Sequence, residues 1–150
     1  MIAAVDGNWG IGFNNKLLYS CKKDLERFYK TIEGKYVIVG RHTYNSMPVL
    51  TNSKTIVMSK TLPSAIRNRD ELFDFLDKHS LWDDAVVIGG SQIYTQLMPW
   101  IQEAYITKFR TRFEHVDAFI EPIPSSWTYK LEEEFIEKGI VVQFIKYTRP

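Results

Sequence analysis

The feature that most constrains this chain is the alternation of short apolar runs with longer stretches of helical period. The runs are Ile2–Val5 and residues 36–39, 56–58, 85–88 and 105–109. Each is rich in β-branched or aromatic residues and only a few residues long, as strands covered on both faces are. Between them, Leu25, Phe28, Tyr29 and Ile32 recur at i, i+3, i+4 and i+7, which predicts an amphipathic helix. Leu72, Phe73, Phe75 and Leu76 occupy one side of a second helix over 70–80. Ile93, Tyr94 and Leu97 begin a third directly after Gly89-Gly90-Ser91, and Pro99 helps to stop it. This order predicts an α/β three-layer sandwich, a mostly parallel central sheet with crossover helices. The end of the chain departs from the pattern. Trp127, Tyr129 and Leu131 alternate with polar residues, Gly139 follows Glu137-Lys138, and residues 140–145 are β-prone. A C-terminal antiparallel hairpin is predicted there, with a helix through 131–136 as the competing reading of the Glu-rich stretch.

Composition narrows the class. The chain has 150 residues, 45% of them hydrophobic, which suits one domain over 1–150 with one sizeable core. Lys plus Arg is 19 against 18 for Asp plus Glu, a net charge of +1. That balance argues against a nucleic-acid or membrane partner. The single cysteine, Cys21, excludes an internal disulfide framework, and His42, His79 and His115 are scattered, so no metal site is expected. No apolar run approaches the roughly 20 residues of a bilayer span, and the N-terminus lacks the pattern of a secretory signal. A soluble, cytoplasmic, reducing-compartment protein is expected.

Ligands of parallel α/β sheets bind at the carboxyl ends of the strands. Two such ends here suit phosphate groups: Val39-Gly40-Arg41-His42-Thr43, and Ile88-Gly89-Gly90-Ser91-Gln92-Ile93-Tyr94. Each places glycine at a helix start, where free N–H groups and the helix dipole favour anions. Either turn alone is as readily plain loop geometry; the pair shifts the balance toward a ligand with more than one phosphate. Neither is a G-x-G-x-x-G or a P-loop. Asp24 lies at the edge of the apolar stripe of its helix, about 40° from Phe28, where a carboxylate is partly desolvated and needs a partner or a shifted pKa. The bland alternative for Asp24 is an exposed side chain or a surface ion pair. No serine has nucleophile-elbow spacing, and Lys108, Arg110 and Arg112 alternate with aromatic residues as an ordinary strand does.

Five blocks, in order, carry a resemblance. They are Ile2-Ala3-Ala4-Val5-Asp6-Gly7-Asn8-Trp9-Gly10-Ile11-Gly12 with Asn15-Lys16-Leu17; Asp24-Leu25-x-x-Phe28; Gly40-Arg41-His42-Thr43-Tyr44-x-Ser46; Ile56-Val57-Met58-Ser59-Lys60; and Ile88-Gly89-Gly90-Ser91-Gln92-Ile93-Tyr94, followed by Tyr105-Ile106-Thr107. Together they resemble dihydrofolate reductase over nearly the whole chain. The resemblance implies a monomeric reductase that moves a hydride from NADPH to 7,8-dihydrofolate. It implies that Asp24 holds the pteridine with Thr107 supporting it, and that Tyr94 stands beside the reacting rings. Ile2, Ala4, Leu25, Phe28, Met47, Leu50 and Ile88 would line the substrate slot. Ala4, Ile11, Gly12, Ser46, Ile88 and Tyr94 would meet the nicotinamide side. Gly40, Arg41, His42, Thr43, Ser59 and Lys60, with Gly89, Gly90, Ser91, Gln92 and Ile93, would hold the cofactor's phosphates. A cis Gly89-Gly90 bond and a mobile loop from about Gly7 to Tyr19 are implied too.

Departures from the family pattern are visible. Leu18-Tyr19 replaces the usual Pro-Trp, so the active-site water is either held by the Tyr19 hydroxyl or lost. Ser53, with Lys54 beside it, replaces the arginine that usually grips the glutamate tail, and Gln92 replaces a frequent phosphate-binding arginine. Two other readings remain open: a same-fold reductase of another heterocycle, such as a riboflavin-pathway pyrimidine, and a non-catalytic pterin or nucleotide-binding module.

Overall fold

The computed structural model describes residues 1–150. Its elements follow the alternation read from the sequence. The first third holds β1 (Ile2–Val5), β2 (Gly10–Phe13), β3 (Lys16–Leu17), α1 (Lys22–Ile32) and β4 (Tyr36–Gly40). Then come α2 (Arg41–Ser46), β5 (Lys54–Met58), α3 (Arg69–His79), β6 (Ala85–Gly89) and α4 (Ser91–Leu97). The chain closes with β7 (Glu103–Phe109), β8 (Ala118–Phe119), β9 (Thr128–Glu137) and β10 (Ile140–Thr148).

The central sheet is built of two slabs. In one, β4 pairs in parallel with β5 and β6; in the other, β1 pairs in parallel with β7, which continues antiparallel into β10 and then β9. Alternate residues of the buried strands serve opposite faces. Ala3, Val5 and Ile38 join Leu72, Leu76, Ile93 and Leu97 in the largest core cluster, on the side of α3 and α4. Ile2 and Val37 pack with Ile32 and Phe28 of α1 on the other side. Helices on both faces of a mostly parallel sheet make the α/β sandwich expected. No helix is long and apolar enough to cross a membrane.

Local chemistry explains the boundaries. The helix predicted over 70–80 runs Arg69–His79: the Asn68 side chain accepts the Glu71 N–H at 2.9 Å, and Ser80 ends it in the left-handed region. The terminal hairpin is β9–β10, so residues 131–136 are strand and not helix. The alternating side chains there are not equally covered. Trp127 is buried, but Tyr129 is 71% exposed and Leu131 faces solvent as well, because β9 is an edge strand paired only with β10. A small sheet, β3-β2-β8, is unannounced by any periodicity; its strands β3 and β8 are two residues each. The turn before it is tied by Asp6, whose buried carboxylate accepts N–H bonds from Asn8, Gly10 and Phe113 at 2.9, 2.8 and 3.2 Å.

Between β1 and β6 the two slabs lie side by side without a shared ladder. The buried Tyr94 hydroxyl bridges them, donating to the Ile2 carbonyl at 2.7 Å. Removing that donor leaves a buried carbonyl unpaired. Tyr94→Phe is therefore expected to lower stability by about 1–3 kcal/mol, seen as an earlier urea midpoint at unchanged slope. An unchanged midpoint would mean that the bridge contributes nothing.

Candidate active site

The seam opens into a cleft of about 730 Å³ at the carboxyl ends of β1, β4 and β6. Ile2, Ala4, Leu25, Phe28, Met47, Leu50, Ile88 and Tyr94 line it, together with Asp24. So do Ile11 and Gly12 from β2, Gly40, Arg41, His42, Thr43 and Ser46 from the first glycine corner, and Ser59 and Lys60 after β5. Gly89, Gly90, Ser91, Gln92 and Ile93 complete the wall from the second corner. Of the residues to which the resemblance gives a substrate or cofactor role, Thr107 alone does not reach the surface of the cleft. It is fully buried on β7 and stands behind Asp24.

Asp24 occupies the first turn of α1 and is half-buried. The Thr107 hydroxyl donates to its Oδ1 at 2.5 Å. Burial pushes the carboxyl above its ordinary pKa, while the Thr107 bond and the Arg27 guanidinium pull it back down. The neighbouring Tyr94 phenol is pushed well up by burial, and further by the Asp24 charge, so it stays protonated. Its one proton is already given to Ile2. One end of the cleft thus presents a carboxylate acceptor among Leu25, Phe28 and Leu50, which suits a flat heterocycle with adjacent N–H donors.

The other end suits phosphate. Here Arg41 donates to the Thr61 hydroxyl at 3.0 Å and lies 3.4 Å from the His42 ring nitrogen; Ser59 and Thr61 are 3.3 Å apart. With Lys60 they form an exposed corner of cations and hydroxyls. The two glycine corners close on each other: a Cβ at Gly90 would come 2.9 Å from Thr43 Oγ1, and one at Gly40 would come 3.0 Å from Ile93. Only glycine leaves this approach open, and Gly89 adopts φ +127°. The Gly89-Gly90 bond is cis.

The departures now have positions. Tyr19 does not line the cleft: its ring packs 5.2 Å from Phe109 and 5.9 Å from Phe113, and its hydroxyl is buried without a partner. The expectation that it holds an active-site water therefore lacks a geometric basis, because the apolar cluster of Phe109, Val142 and Phe144 draws the ring away. Ser53 donates to the Ile32 carbonyl at 2.8 Å, and Lys54 lies over the Tyr36 ring. Ser53 borders a smaller hollow of about 390 Å³ that shares Tyr29 and Leu50 with the cleft. Sequence reasoning missed several lining residues, among them Ala3, Tyr29, Pro48, Thr61, Met58, Asp117 and Ala118. The last two belong to the β2–β8 contact, which no pattern in the sequence signals.

The sign of the Asp24 shift sets a testable consequence. A carboxyl whose folded-state pKa is raised destabilises the fold once ionised; the stability it contributes is present at low pH and lost as pH rises through the folded value. Asp24→Asn removes that cost. The variant is expected to melt above the wild type near neutral pH, with the two converging as pH falls through the ordinary carboxylate range. A wild type more stable than the variant at neutral pH would contradict the desolvation account.

Comparison with known proteins agrees with this geometry. The family model described as "Dihydrofolate reductase" matches residues 1–149. The dihydrofolate reductase of Bacillus subtilis (strain 168) is 35% identical over 137 residues, covering 89% of this chain and 82% of that protein. Dihydrofolate reductase type 8 of Escherichia coli is 35% identical over 133 residues, covering 80% and 78%. The dihydrofolate reductase of Neisseria gonorrhoeae is 30% identical over 155 residues, covering 98% and 95%. With its sandwich fold and its cleft along the β1–β6 seam, the chain belongs to the dihydrofolate reductase family.

Proposed function

We propose that the chain transfers a hydride from NADPH to 7,8-dihydrofolate, giving tetrahydrofolate. The observation that carries this reading is the coexistence, in one cleft, of a half-buried carboxylate backed by Thr107 and a cation–hydroxyl corner beside two touching glycine turns. The cofactor fits that equipment. Arg41, Lys60, Ser59 and Thr61 offer charge and donors to a 2′-phosphate, and the Gly40 and Gly89-Gly90 corners leave backbone exposed for a pyrophosphate. Bound NADPH supplies the hydride.

The chain's own residues position, exclude water and stabilise charge. Asp24 accepts hydrogen bonds from the 2-amino and N3 groups of the pteridine and holds the ring flat in the slot. Its negative charge favours positive character on that ring, and so the protonated N5 that makes the acceptor reactive. Asp24 is bonded to Thr107 and faces the far edge of the ring, so water supplies the N5 proton. Tyr94 does not donate it either, since its hydroxyl proton bonds Ile2. Tyr94 and Ile88 line the slot and would instead hold the two ring systems in near-attack contact. The segment around Ile11 and Gly12, anchored by Asp6, covers the reacting edge and limits water.

The test is direct: mix the protein with NADPH and dihydrofolate and follow the loss of reduced-nucleotide absorbance. Binding of both without turnover at any pH would leave a binding module instead. Asp24→Asn is expected to slow turnover on the order of 10²-fold or more while the fold persists; an unaffected rate removes Asp24 from the mechanism. Arg41→Ala is expected to weaken NADPH by roughly tenfold or more and NADH much less, since only NADPH carries the 2′-phosphate. Equal losses in a titration of both nucleotides would refute the corner's assignment.

A further inference from the structure

One charged side chain near the site is unusually enclosed and reaches Asp24 by more than its charge. Arg27 stands one helical turn after Asp24 on α1, yet only 11% of its side chain is exposed. Its guanidinium lies 4.6 Å from the centre of the Phe144 ring and 5.6 Å from that of Tyr105. Nη2 donates to Glu132 Oε1 at 3.0 Å, and Nη1 donates to the Thr107 hydroxyl oxygen at 3.3 Å. Thr107 in turn donates to Asp24.

The donor inventory sets the direction of this chain. A guanidinium has donors only, and a hydroxyl has a single proton to give. With its oxygen accepting from Arg27, Thr107 points its proton at Asp24. Asp24 Oδ1 is thereby held as an acceptor, and the Arg27 charge favours the same ionised form.

A local irregularity in the hairpin anchors the outer end. Along the β9–β10 ladder, Leu131 faces Ile145 and Glu133 faces Phe144, so Glu132 is an extra residue. In an unbroken strand, neighbouring side chains point to opposite faces. Here Glu132 reaches Arg27 and Glu133 reaches Lys23, both on α1. The bulge has turned consecutive carboxylates toward one helix.

The other charges around Asp24 do not supply this effect. On α1, Lys23 is paired with Glu133; on α4, the Tyr94 phenol stays neutral; on β7, Thr107 carries no charge and the Tyr105 ring lies against Arg27; on β10, Lys146 lies 3.7 Å from Glu103. Glu132 offsets part of the Arg27 charge, but it is 38% exposed and screened by water, whereas Asp24 is more enclosed.

We infer that Arg27 is a positioning residue for Asp24, fixing the Thr107 proton on the carboxylate and keeping it an ionised acceptor toward the cleft. The inference deepens the reading of the site given above and rests on it for its use in catalysis. Without Arg27, the hydroxyl is free to turn and the nearest cation is lost, so Asp24 takes up its proton at higher pH.

The experiment is a carbon-13 NMR titration of the Asp24 carboxyl in the full chain without ligand, the signal assigned by its loss in Asp24→Asn. The titration midpoint is expected to rise by about one pH unit in Arg27→Met, and clearly less in Arg27→Lys, which keeps the charge. If Arg27→Met does not fold, Arg27→Gln is read the same way. The acidic limb of kcat/KM for dihydrofolate is expected to move in the same direction by a similar amount. Coincident midpoints in the wild type and the neutral variant overturn the inference, as does a lysine variant shifted as far as the neutral one. The ligand-free titration stands apart from turnover: a shifted midpoint in a protein that reduces no dihydrofolate refutes the proposed activity and supports the role of Arg27.

Discussion

The structure turns on the seam between β1 and β6. Two slabs of sheet come together there along parallel strands without a ladder, and backbone groups that would have paired are left to side chains and ligands. Tyr94 satisfies one of them, at Ile2. At the carboxyl ends of the slabs both glycine corners, the N-terminal turn of α1, and β2 with the turn after it all face the same opening. A continuous ladder would have closed it. The cleft is the topological switch point that parallel α/β sheets use for ligands, and its position follows from the order in which the strands are connected.

Charge inside that opening is held at a cost to the fold. Asp24 sits where burial opposes its ionisation, and only a hydroxyl and a guanidinium work against that opposition. At the phosphate end the cations are more open, Lys60 exposed and Arg41 half-buried, and they stand among hydroxyls and backbone. The two ends therefore recognise by different physics. A single enclosed charge discriminates through desolvation and direction, whereas a more open cationic corner discriminates through charge number and is screened by salt.

The sequence disclosed the parts of this arrangement that repeat and hid those that do not. Buried strands such as residues 36–39 and 85–88 announce themselves because both faces are covered, and the observed β4 and β6 differ by one residue each. Asp24 was legible as a carboxylate on the rim of an apolar stripe, and the glycine corners as small residues between strand and helix. Thr107 was named only through the family resemblance, since inside β7 a buried threonine looks like any other strand residue. Asp6 left no trace because its partners are backbone N–H groups. β8 is too short to have a period. The exposure of Tyr129 was not legible either: alternation does not reveal whether the second face of an edge strand has a layer above it.

Arg27 was hidden by a non-local fact. By helical angle it falls on the polar side of Asp24, where an arginine ordinarily points to water. What covers it is the C-terminal hairpin, 105 residues away at Glu132. β10 pairs with β7 so that Phe144 stands opposite Thr107, and the same Phe144 ring lies under the Arg27 guanidinium. A slip of one residue in that register would turn Phe144 to the other face and leave both Thr107 and Arg27 without cover. The hairpin is thus more than an extension of the sheet: its register sets the environment of the carboxylate, and its bulge supplies the anion that steadies the cation beside it.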